Sequence, residues 1–173
     1  MQDRITIDGK IKFEPIDRTN KHREQASWKR IAMVIFDGDV TDYYTWFIKK
    51  RYSLELNKPL RGAHISFIND SIRDLSQNGK KHITEVDALW NSSKTKWDNQ
   101  TVSITLLLTP SFKKEYWWLN LDEESTRNLL GIRAELGLGK PFFDLHMTIG
   151  YANEKNSFHN EYIKNGIING FIW

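Results

Sequence analysis

Two short stretches of the chain end alike: "KPLRGAHIS" over residues 58–66 and "KPFFDLHMT" over residues 140–148. Laid one under the other, Lys, Pro and His coincide without a gap, and Ser66 falls opposite Thr148. Imidazole is the side chain whose unperturbed pKa lies closest to neutral pH, so it can take or give a proton there. In a strand, residues two apart share a face. In "GAHISFI", Ala63, Ile65 and Phe67 form the apolar face, and His64 and Ser66 share the other. In "DLHMTIG", Leu145, Met147 and Ile149 form the apolar face, and His146 and Thr148 share the other. Brought together across a cleft, two imidazoles and two hydroxyls suit phosphodiester cleavage without a metal. One His takes a proton from the attacking oxygen while the other gives one to the leaving oxygen. The hydroxyls hold the non-bridging oxygens and keep the phosphorus in line. Water or a ribose 2′-hydroxyl can be the attacking oxygen, and the residues leave both open.

The surroundings of the two stretches match as well. At the same offset Arg51 falls over Arg133, Leu54 over Leu136 and Leu56 over Leu138. Each stretch follows a helical pattern and a Pro-containing loop and then runs on as a strand. This reads as an internal duplication of one supersecondary unit.

Other elements must position that pair. "RITIDGKIKFE" alternates around Asp8-Gly9, which predicts an N-terminal hairpin over residues 4–14. Residues 17–25 are polar and basic, a loop. "SWKRIAMVIF" predicts a strand, and "DGD" at residues 37–39 a plain turn, since the other ligand positions of a calcium loop are missing. Val40, Tyr43, Tyr44, Phe47 and Ile48 recur at helical spacing, with Asn57 and Pro59 stopping that helix. Residues 69–100 are polar and broken by turn residues, with a short helix at "TEVDALW". "TVSITLLLT" and "EYWWLNL" predict strands. "DEESTRNLLGIRAELGLG" predicts a helix opened by acids and closed by Gly137. Two similar lobes placed about a pseudo-two-fold axis could bring the polar faces of the two motif strands together across a cleft. The first motif lobe covers about 27–68, the second about 101–151, and a tail follows over 152–173.

Bulk properties narrow the function classes. A chain of 173 residues suits one domain, and 39% apolar with 27% charged residues describes a globular chain. The absence of Cys excludes a disulfide framework and thiolate chemistry. No apolar run reaches membrane-span length and no signal-peptide pattern opens the chain, so a soluble, cytoplasmic protein is expected. Residues 1–82 carry a net +5 and residues 83–173 a net −2. A mild basic excess attracts phosphates, but it is too thin for a duplex-binding groove.

"HISF" and "HMTI" both fit the His-hydrophobic-Ser/Thr-hydrophobic signature, and the chain thereby resembles the two-histidine phosphoesterase superfamily over about residues 28–151. That group includes ligT-like RNA enzymes, cyclic phosphodiesterases of RNA processing, and viral and phage enzymes that destroy nucleotide second messengers. The resemblance implies a single α+β domain with two pseudo-symmetric lobes of mostly antiparallel sheet, helices outside and a central cleft, and chemistry that needs neither metal nor cofactor. It makes His64 and His146 the acid/base pair, and Ser66 and Thr148 the phosphate ligands. In size and aromatic content the chain looks most like the phage anti-defence branch, which cleaves cyclic oligonucleotides made by bacterial CBASS immunity. Its place would then be the host cytoplasm and its partner a cyclic oligonucleotide, with no duplex nucleic acid and no membrane. The alternatives are RNA end processing of a 2′,3′-cyclic phosphate or 2′,5′ linkage on a short RNA, and a non-catalytic nucleotide-binding module. Base specificity, ring size and oligomeric state carry no signal in the residues.

Weaker candidates lie around the motifs. Tyr44, Trp90, Trp97 and Tyr151 are candidate platforms for stacking bases, although each also suits a core. Arg61, just ahead of the first motif, could meet a phosphate. The apolar tail "GIINGFIW" is expected to pack as a last strand, or to close over the cleft with Trp173 as a lid. His22, His82 and His159 lie outside the repeat and are assigned no chemistry.

Overall fold

The structure, a computed structural model, describes residues 3–15, 31–59, 61–69, 83–141 and 143–152. The loop over 17–25, Trp28, the tail from residue 153 with Trp173, and His22, His82 and His159 lie outside the described residues. Chain order is β1 (Arg4–Phe13), β2 (Ala32–Ile35), α1 (Asp39–Tyr52), β3 (His64–Ile68), α2 (Ile83–Trp97), β4 (Thr101–Leu107), β5 (Ser111–Lys113), β6 (Tyr116–Asn120), α3 (Glu123–Glu135) and β7 (His146–Tyr151). The fold is α+β. One antiparallel sheet has the order β3-β2-β1-β4 and the other β5-β6-β7.

The expected N-terminal hairpin does not form. Residues 4–13 make one continuous strand, β1, which pairs with β4 on one side and β2 on the other. Asp8-Gly9 favours a turn locally, but here Gly9 answers a packing need. A Cβ at Gly9 would stand 2.5 Å from Val34 Cγ1 and 2.6 Å from Phe36 Cε1. Asp8 stays in the ladder, opposite Ser103, whose hydroxyl donates to its carboxylate at 2.6 Å.

The helices follow their apolar spacing. In α1, Tyr44 and Ile48 are buried and Val40 and Phe47 pack against the core, while Tyr43 stands exposed. The helix ends earlier than Asn57, at Ser53, whose left-handed backbone (φ 53°) breaks the hydrogen-bond ladder. Asp122 caps α3 by accepting from Ser125 N at 2.8 Å, and Glu123 and Glu124 occupy the positive end of the helix dipole. α2 is 15 residues long, well beyond the short helix the sequence suggests.

What sets the site is how the two halves grip each other. β3 and β7 lie at the edges of their sheets and run against one another. Two of the three described helices pack on the motif strand of the other half: α1 on β7, and α3 on β3. The loop after α1 joins β7 through a two-way bridge, Asn57 N to Tyr151 O at 2.8 Å and Tyr151 N to Asn57 O at 3.1 Å. The loop after α3 reaches β3 through Arg133, which donates to Gly139 O and, at 2.8 Å, to Phe67 O. One buried cluster runs through both halves, from Ile11, Val34 and Ile65 to Leu119, Met147 and Ile149.

Candidate active site

The two motif strands are built alike down to their irregularities. In β3, His64 stands opposite Ile35 and Ser66 opposite Met33. In β7, His146 stands opposite Asn120 and Thr148 opposite Trp118. Each ladder then slips at the residue after the hydroxyl. Ile68 is opposite Ala32, leaving Phe67 unpaired, and Gly150 is opposite Trp117, leaving Ile149 unpaired. Such a bulge turns two consecutive side chains toward one side. Phe67 and Ile68 are accordingly both buried, as are Ile149 and Gly150, while both histidines and both hydroxyls stay half-buried on the opposite face.

The imidazoles are held in the same way. His64 Nδ1 lies 2.9 Å from Gly62 O, and His146 Nδ1 lies 2.7 Å from Asp144 O. A carbonyl can only accept, so Nδ1 carries the hydrogen in both rings, and Nε2 of the neutral ring is left as an acceptor. Burial holds the His64 pKa below its ordinary value. The bond to Gly62 opposes that shift, and the charges of Arg61 and His146 add to it. The two imidazoles are thus near enough for a charge on one to disfavour a charge on the other. β3 and β7, which carry the four motif residues, adjoin.

The flanking walls differ. On the β3 side the same face carries Ile35 and Lys10, in line with His64, and Met33 and Lys12, in line with Ser66. Arg61 reaches this wall, its Nη1 3.7 Å from Met33 Sδ, and Met33 is only 2% exposed. Lys12 bonds Asn99. On the β7 side the wall is neutral and aromatic. The Trp118 ring lies 5.9 Å from the His146 ring, tilted by 57°. Its Nε1 donates to Asn120 Oδ1 at 2.9 Å, and Asn120 Nδ2 donates to Ser111 Oγ at 2.9 Å.

The remaining candidates fall in different places. Arg61 is at the site. Tyr151 is on its side, because the bulge at Ile149 returns it to the face of Trp118, where it pairs with Tyr116 at 6.2 Å between ring centres. Tyr44 is in the core. Its hydroxyl donates to Leu108 O at 2.6 Å, and burial, with Tyr43 adding, pushes its pKa up to about 12. Trp90 is also core, bonded to Glu14. Trp97 donates to Glu135 where α2 meets α3, with Lys96 over its ring. None of these three offers a face beside the histidines. Sequence reasoning passed over Trp118 and Asn120. Their signal was the alternation in "EYWWLNL": Trp117 and Leu119 are buried, so Trp118 and Asn120 take the other face.

A shallow hollow of about 540 Å³, lined by Asn91, Lys94, Thr95, Asp98 and Asn99, opens near the end of α2 and touches neither motif. Among the described residues, no three His, Asp or Glu side chains are grouped to hold a metal ion, and no helix is long and apolar enough to cross a membrane. No protein-family model, curated protein or solved structure matches the chain.

Proposed function

We propose that the chain is a metal-independent phosphodiesterase with the two-lobed fold of the two-histidine phosphoesterases, acting on a cyclic nucleotide or cyclic oligonucleotide. The observation that carries this reading is the doubled His-x-hydroxyl strand, repeated with the same bulge and the same Nδ1–carbonyl bond. A structural histidine has no need of that repetition. An acid/base pair does, because it needs two Nε2 atoms presented to one phosphate. Ser66 and Thr148 donate to the non-bridging oxygens, and Arg61 supplies positive charge on the same side.

The two histidines take different roles. His64, disfavoured as a cation, is the neutral ring whose Nε2 accepts the proton of the attacking oxygen. His146 then gives a proton from Nε2 to the leaving oxygen. The in-line displacement breaks the phosphorus–oxygen bond opposite the one that forms, and the two rings exchange protonation states over the step.

The substrate assignment, a signalling cyclic oligonucleotide of the kind antiviral immunity uses, rests on the chain's general likeness in size and aromatic content to the anti-defence branch and on the aromatic wall beside the motifs. Product analysis on cyclic dinucleotides, 2′–5′ oligoadenylate and an RNA ending in a 2′,3′-cyclic phosphate, with EDTA present, tests the reading. Cleavage of a cyclic oligonucleotide is expected. Preference for the RNA end assigns the chain to RNA processing instead. Binding without cleavage makes it a nucleotide-binding module. Turnover lost to EDTA and restored by metal defeats the acid/base account.

A further inference from the structure

The face that holds the two motifs is sided, and the asymmetry points to how a substrate lies on it. Trp117 and Trp118 are neighbours with opposite fates. Trp117 is 1% exposed and stacks on Phe112 at 4.7 Å, as a core aromatic does. Trp118 is turned the other way, onto the motif face opposite Thr148, and stays partly open to solvent. Trp118 belongs neither to the buried cluster nor to the half-buried apolar side chains packed against it. The Ser111–Asn120–Trp118 hydrogen-bond chain nonetheless fixes its plane. That chain sits on a half-exposed surface, where each of its polar groups could bond water instead. A fixed, flat, apolar ring within 6 Å of His146 is a surface prepared for another flat ring.

We infer that Trp118 is the platform on which a nucleobase of the substrate stacks, next to the phosphate that His146 and Thr148 engage. The cationic wall is on the other side, at Lys10 and Arg61, so the base lies toward β6 and the phosphate toward β3. The indole offers a π-face and has its only N–H tied to Asn120, so it selects for the presence of a base more than for its identity. This rests on the phosphodiesterase reading and adds to it the part of the ligand that is recognised.

The test compares two ligands with the same phosphodiester, 2′,3′-cyclic AMP and ribose 2′,3′-cyclic phosphate. Binding is measured by calorimetry in a His64→Ala background, so that turnover of either ligand is suppressed during the measurement. The nucleotide is expected to bind more tightly than the base-free ligand. Adding Trp118→Ala should weaken the nucleotide about 5- to 100-fold and leave the base-free ligand unchanged. Trp118→Phe should keep most of the difference, which also controls for folding. Equal affinity for the two ligands, an equal loss on both with Trp118→Ala, or no binding of either overturns the inference. Trp118-dependent binding combined with no histidine-dependent turnover of any phosphodiester by the unmutated chain leaves the platform standing and removes the enzymatic reading.

Discussion

The two halves of this chain solve one problem in parallel and then part company. The strand-helix-loop-strand unit β2–α1–β3 matches β6–α3–β7 in pairing, in the place of the bulge and in the hydrogen bond that holds each imidazole. They diverge in how each half is anchored. Arg51 is exposed on α1, whereas its counterpart Arg133 is 1% exposed and ties Gly139 O to Phe67 O. They diverge again beside the motifs, where one half carries lysines and the other an indole. What is kept is the pairing, the bulge and the Nδ1–carbonyl bond that set each His-x-hydroxyl strand. What differs is the anchor of each half and the wall beside each motif.

The largest effects should come from breaking the equivalence of the histidines. His64→Ala and His146→Ala should each lower turnover by about 10²- to 10⁴-fold. The double variant should fall little below the worse single, because the pair acts as a unit. Initial rates on one confirmed substrate decide it, and a single variant near the unmutated rate would make that residue structural.

The anchors should break unequally. Arg133→Met leaves the Phe67 and Gly139 carbonyls without their donor and should cost about 1–3 kcal/mol of stability in urea unfolding. The corresponding Arg51→Met changes an exposed side chain, whose ion pairs or bonds are worth about 0–1 kcal/mol, and should cost less. Equal losses would mean that the second half is not held by the Arg133 clamp.

The hydroxyls should matter less and more evenly. Ser66→Ala and Thr148→Ala each remove one neutral hydrogen bond, about 0.5–1.5 kcal/mol, so kcat/KM should drop by about 2- to 10-fold in each.

The smallest effect is on stability against pH. His64 releases its proton more readily in the folded chain than in the unfolded one. On acidification through the ordinary histidine range, near about 6.5, the unfolded chain therefore takes up the proton first, and stability declines. Urea midpoints should fall between pH 7.5 and pH 5, and His64→Gln should remove part of that slope. An unchanged slope would mean that His64 titrates as it does in the unfolded chain.

Local pattern carried much of this into view. The alternation in "GAHISFI" and "DLHMTIG" assigned the faces correctly because each strand has one buried side, and the spacing in α1 and the cap of α3 marked those helices. What stayed hidden is long-range. Nothing local tells Gly9 that Val34 and Phe36 will occupy the space a Cβ needs, so Asp8-Gly9 read as a turn. Nothing local tells Gly150 that the Asn57 carbonyl will come within 2.7 Å of where its Cβ would be. Trp118 became a site residue only once its strand had a partner, since the pairing with Thr148 sets it beside the second motif.

The division of labour between the two histidines is tested most directly by the pH–rate profile of kcat/KM, taken with EDTA present. The account predicts a bell governed by the pair. His64→Ala and His146→Ala should each lose one limb of that bell, and the two variants should lose opposite limbs. A bell that keeps both limbs in either variant would contradict it.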